Sequence, residues 1–149
     1  MLYIDATKLA DISRCFRYAH WRHEKGWTRA GGVELCFGLA WHKAQDALWA
    51  CAFAARSRTA CKVEALAAFS REWTACGGVA AQAATGSHHG PALAAAMLDA
   101  YIQQILPALA EWELVGSERQ FSVPLSADVT YVGWWDKVLR HKATGRIRI

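Results

Sequence analysis

An aspartate inside an aromatic segment and a histidine on an apolar helix are the two residues of this chain best suited to chemistry. Asp136 stands in Gly133-Trp134-Trp135-Asp136-Lys137-Val138, within residues 131–139, which are rich in aromatic and β-branched side chains and contain no proline. That composition predicts a β-strand. Alternation would set Val132, Trp134, Asp136 and Val138 on one face and Tyr131, Gly133, Trp135, Lys137 and Leu139 on the other. Both sets are mostly apolar, as expected of a central strand covered on both sides. A carboxylate in that setting needs a cation, a metal or several hydrogen-bond donors, because uncompensated desolvation costs roughly several kcal/mol. An ion pair with Arg119 or Arg140 and a bound divalent ion are both open.

His42 lies in Cys36-Phe37-Gly38-Leu39-Ala40-Trp41-His42-Lys43-Ala44-Gln45-Asp46-Ala47-Leu48-Trp49. Gly38 precedes it by one helical turn and shares a face with Gln45 and Trp49, which leaves space beside the imidazole. Glycine weakens a helix interior by about 1 kcal/mol relative to alanine, so a packing reason for Gly38 is expected. Such a histidine is either a satisfied core residue or a ligand. Glu118, in Ser117-Glu118-Arg119-Gln120-Phe121-Ser122-Val123-Pro124-Leu125, is either a solvated residue at a strand start or an additional acid. Phe121, Val123 and Leu125 alternate with polar neighbours there, and Pro124 suits an edge strand.

The net charge is +4, and Lys137, Arg140, Lys142, Arg146 and Arg148, with His141, crowd the segment carrying Asp136. The cluster is either a solvated hairpin or a phosphate-backbone contact, which would be salt-sensitive and blind to sequence. Tryptophans 21, 27, 41, 49 and 73 could stack on bases in a single-strand channel or fill the core.

The elements that must position these residues run helices first and strands last. Thr7 or Asp5 can cap a first helix with Leu9, Ile12, Phe16 and Ala19 inside and Arg14, Arg17, Arg22 and Lys25 outside. Gly31-Gly32 precedes the helix of His42, and a third helix is expected over residues 61–74, ending at Gly77-Gly78. Residues 77–90, including His88-His89, read as a loop. Pro91 suits the first turn of a fourth helix striped by Leu93, Met97, Tyr101 and Ile105, which Pro107 ends. Thr144-Gly145 supplies a turn, and Ile147 and Ile149 alternate with Arg148 as a returning strand. Residues 1–149 are read as one domain, large enough for a real core with 54% hydrophobic content and eight tryptophans. The chain stops on Ile149 in mid-strand, so an N-terminal portion of a longer domain is expected.

Several classes fall away. No run of eighteen or more apolar residues and no signal-peptide pattern is present, so a cytoplasmic protein without a membrane partner is expected. Five cysteines, at 15, 36, 51, 61 and 76, form no C-x-x-C pair, which predicts reduced thiols rather than disulfides or a zinc ribbon. Cys15, His20 and His23 on one segment lack a fourth zinc ligand. His20, His23, His88 and His89 lack H-E-x-x-H or comparable spacing, against a histidine-based metallohydrolase.

Three segments, taken in order, resemble the PD-(D/E)XK nuclease superfamily in its RecB-like and phage exonuclease branch. Gly38 to His42 resembles the G-x-x-x-H helix, residues 117–125 the strand preceding the G-x-x-D strand, and Gly133 to Asp136 the G-x-x-D strand itself. The resemblance implies an α/β fold of α+β arrangement, with N-terminal helices packed on a mixed sheet in a restriction-endonuclease-like core. It implies a metal-dependent DNA nuclease, expected to be an exonuclease of recombination, repair or phage replication. Asp136 and His42 would be catalytic and would hold Mg²⁺ or Mn²⁺, with Glu118 as a further ligand. Lys137, Arg140, Lys142, Arg146 and Arg148 would contact DNA. In that branch an acid-x-lysine motif follows at a distance that falls at or just beyond Ile149. Those groups are absent here, so this chain alone is expected to be inactive. Ser13-Arg14-Cys15-Phe16-Arg17-Tyr18 resembles a segment that in some members helps hold an iron–sulfur cluster. Phe16 replaces the usual proline and the partner cysteines are absent, so no cluster is expected. The alternative is a non-catalytic helical module, binding nucleic acid or a protein on the same scaffold.

Overall fold

The computed structural model describes residues 2–26 and 32–149. The chain is mixed α/β, with its helices ahead of a four-stranded mixed sheet except for a short first strand. Its contacts divide it into two compact units, one built from Met1–Ala30, Leu114–Arg140 and Arg146–Ile149, the other from Gly31–Glu113 and His141–Gly145.

The sheet unit contains β1 (Leu2–Ile4), α1 (Ala6–Arg14), α2 (Phe16–Ala19) and a π-helical turn over His20–Glu24. Asp5 caps α1 by accepting the Lys8 amide proton at 2.7 Å, so of the two expected caps it is Asp5 that acts. The expected inner stripe does not form. The helix breaks at Cys15, which is extended, so Leu9 and Phe16 lose their common face and stay exposed, Phe16 to 74%, while Ala19 is buried. Arg22 and His23 both reach Asp11 Oδ2 at 2.9 Å and tie the turn back onto α1.

The long strands β2 (Trp112–Pro124) and β3 (Val129–His141) are hydrogen-bonded neighbours. Residues 125–128 join them, and a link that short requires an antiparallel hairpin. β3 is central, with β2 on one side and β1 parallel on the other, Leu2 opposite Val129 and Ile4 opposite Tyr131. Pro124 therefore lies on an outer strand, as its missing N–H requires. Gly145, at φ +68°, closes the basic turn in the left-handed conformation that glycine tolerates. The returning strand is β4 (Ile147–Arg148), antiparallel to β3 with Leu139 opposite Arg148 and Arg140 opposite Ile147.

The helical unit holds α3 (Val33–Phe53), α4 (Arg58–Ala75), α5 (Gly78–Thr85), α6 (Pro91–Gln104) and a 3₁₀ turn over Leu106–Glu111. Ser57 caps α4 by accepting from the Ala60 amide at 3.2 Å, and Gly77 at φ +77° ends it. Its core is a set of interlocked rings. Phe69 and Trp73 stack at 5.8 Å, and Phe37 meets both edge-on, at 5.5 and 6.4 Å. Fully buried Ala40, Ala44, Ala65 and Ala94 let α3, α4 and α6 approach closely, because small side chains shorten the interhelical distance.

Two expectations here are corrected. Residues 77–90 are not all loop, since α5 occupies most of them: five of its eight residues are alanine or glutamine, strong helix formers that outweigh the flanking glycines. On α6 the buried line is Ala94, Leu98 and Ile102, with Leu93, Met97 and Tyr101 packed beside it. The stripe is displaced by one residue because a helix meeting neighbours over a broad face buries adjacent rows. No helix among the described residues is long and apolar enough to cross a membrane.

Candidate metal centre

The carboxylates that could hold an ion come from neighbouring strands of the sheet unit. Gly133 and Phe121 fix the local geometry. A Cβ on Gly133 would stand 2.6 Å from the Phe121 ring, so glycine is required for that ring to lie across β3. There it packs between Tyr131, at 5.7 Å, and Trp135, stacked at 5.0 Å. These rings and Gly133 define one face of β3, and alternation sends Trp134 and Asp136 to the opposite face.

Asp136 is held through its backbone. Its carbonyl oxygen accepts from Ser117 Oγ at 3.3 Å and from its own neighbour, Lys137 Nζ, at 3.0 Å. Across the hairpin, Glu118 lies within β2 with φ +50°, a left-handed conformation that costs a non-glycine residue about 1–2 kcal/mol. Such a residue inside a strand is the mark of a bulge, which re-aims side chains and recurs beside functional sites. Here the side chain of Glu118 comes within 4.8 Å of that of Asp136, counting the closest carboxylate oxygens. Two like charges this close repel, and a cation relieves them.

The setting of Asp136 corrects the sequence expectation. It is exposed, as are Trp134 (55%) and Trp135 (37%), and only Val138 and Leu139 at the far end of β3 are buried. Cover on both faces is confined to that end, so Asp136 carries no full desolvation cost. Arg119 is also not aimed at it as an ion-pair partner: its guanidinium donates to the Val115 carbonyl at 3.3 Å.

His42 belongs to the helical unit, exposed on α3, whereas Trp49 of the same stripe is buried and donates its indole N–H to Tyr101 Oη at 2.9 Å. That settles one alternative, since His42 is not a buried core histidine. Gly38 also departs from expectation, for a Cβ there would meet nothing within 4 Å. No protein neighbour demands that glycine.

The basic residues do not act as one cluster. Register places Arg140 on the Asp136 face, while Lys137 and Arg148, opposite Leu139, occupy the other. Lys142 belongs to the helical unit, where its Nζ donates to the Ala110 carbonyl at 2.7 Å and its amide to the Glu111 carbonyl at 2.9 Å. Lys142 thereby caps the end of the 3₁₀ turn. Charge is nonetheless segregated: the sheet unit has eleven Lys and Arg against six Asp and Glu, net +5, and the helical unit six against seven, net −1.

The other candidate ligands are committed elsewhere or exposed. His23 is bound to Asp11, His89 packs edge-on against Phe37 at 5.4 Å, and Cys15 is exposed. Of the tryptophans expected to stack on bases, 49 and 73 are buried, 41 is half-buried, 21 is exposed and 27 lies outside the described residues. Trp134 and Trp135 were missed because alternation inside a hydrophobic strand reads as burial on both faces. Comparison with family models, with curated proteins and with solved structures found no match to this chain.

Proposed function

We propose that this chain is a metal-dependent deoxyribonuclease, and that Asp136 and Glu118 hold a divalent cation. The observation that carries this reading is the bulged approach of two carboxylates from adjacent strands, the first of them in the G-x-x-D segment. Carboxylate oxygens are hard donors suited to Mg²⁺ or Mn²⁺. When bound, the ion supplies Lewis acidity to a phosphate ester. The chain's own residues do the rest. Arg140 on the Asp136 face draws in a phosphate, and the +5 sheet unit strengthens that attraction without reading sequence.

Calorimetric titration of Mn²⁺ into the protein, followed by an assay of Mg²⁺-dependent degradation of linear DNA, tests the proposal. Asp136→Ala should abolish saturable Mn²⁺ binding, because it removes one of the two carboxylates. Glu118→Gly is the sharper variant. It removes a donor yet relieves the left-handed strain, so the protein should melt no lower while binding Mn²⁺ more weakly. Equal Mn²⁺ binding and equal nuclease activity in all variants would refute the assignment.

A further inference from the structure

The Trp134 indole has no role in the core and none in holding a cation. It is 55% exposed on β3, on the same face as Asp136 and two residues before it, a step of about 6.8 Å along a strand. Its neighbour Trp135 is different, being stacked on Phe121 at 5.0 Å and so part of the packing. Trp134 also lies in the unit that carries the positive charge, with Arg140 further along the same face.

We infer that Trp134 is a stacking seat for an unpaired base of single-stranded DNA whose backbone runs past the Glu118–Asp136 pair. This deepens the nuclease reading by naming the substrate class, and rests on it for the position of the backbone. An indole stacks on any base, because every base has a π-face, so the seat is indifferent to sequence. It is not indifferent to strandedness, since the faces of paired bases are covered by their neighbours in the duplex. The positive surface supplies the backbone attraction, and the ring supplies the preference for a single strand over a duplex.

The test is fluorescence anisotropy with a labelled oligothymidine and a labelled duplex of equal length, in EDTA. Trp134→Ala should weaken single-strand binding by roughly 5- to 100-fold, the range for loss of one stacking side chain, and leave duplex binding within about 2-fold. Trp134→Phe should retain most of the single-strand affinity, which a loss of fold would not allow. Equal single-strand affinity in Trp134→Ala and the parent, or equal losses on both DNAs, would overturn the inference. Because EDTA removes metal and cleavage, the two readings fail separately. Unchanged Mn²⁺ binding in Asp136→Ala sinks the metal assignment alone, and an unchanged anisotropy curve in Trp134→Ala sinks the stacking seat alone.

Discussion

The two units use the same residue type in opposite ways. In the helical unit Trp73 is sealed among Phe37 and Phe69 at 2% exposure, whereas in the sheet unit Trp134 stands open at 55%. Charge follows the same division, with net −1 on the helical unit and +5 on the sheet unit. The difference teaches that one residue type can be buried in one unit and exposed in the other, according to the packing around it. Aromatic area is spent on packing where charge is balanced, and shown to solvent where positive charge can bring in a polyanion.

Truncation gives the strongest way to break this comparison. Trp73→Ala should cost about 3–5 kcal/mol, the range for deleting a buried aromatic, whereas Trp134→Ala should stay within roughly 0.5 kcal/mol, as for a surface change. Urea midpoints of the two variants check this, and similar losses would end the contrast. Gly133→Ala comes next, because its new Cβ must displace Phe121, and overpacking costs about 1–3 kcal/mol. In a Phe121→Ala background the same change should become nearly neutral, so a double-mutant cycle isolates the pair.

Alkaline pH probes the helical unit through its thiols. A hydrogen bond with Cys76, then burial, pushes Cys36 up to about 11, and burial followed by a hydrogen bond with Cys61 pushes Cys51 up to about 12, from an ordinary 9.0. The folded state therefore holds these protons more tightly than the unfolded state. Their contribution is fully present below pH 9 and is lost as pH rises from there through about 12. Unfolding midpoints should fall over that window, and less so in Cys51→Ala relative to its own value at neutral pH. The smallest effect sharpens the view of α3. Gly38→Ala, with open space for its methyl, should raise stability by about 1 kcal/mol. If the protein then loses nuclease activity, the room beside His42 serves the substrate rather than the fold.

Much of this was legible along the chain because it depends on neighbours in sequence. Asp5 as a cap, Pro91 at a helix start, Gly77 at a helix end, Pro124 on an outer strand and the Gly145 turn all follow from local backbone chemistry. Periodicity was less dependable. It named α3, α4 and α6 but missed α5, misjudged which rows of α6 are buried, and joined α1 to α2 across the break at Cys15. Whether a residue meets a neighbour or solvent depends on elements distant in sequence.

The sequence by itself determined the long helices α3, α4 and α6, the strands near the end of the chain, the acid on an aromatic strand and the positive charge around it, since composition and spacing set these without reference to distant contacts. Only the tertiary structure decided that Asp136 and Trp134 are exposed, that Glu118 is bulged toward Asp136, and that Phe121 occupies the space left by Gly133. The physical reason is register. A strand pattern states which side chains alternate, but cross-strand pairing alone sets which of them meet and which face is covered.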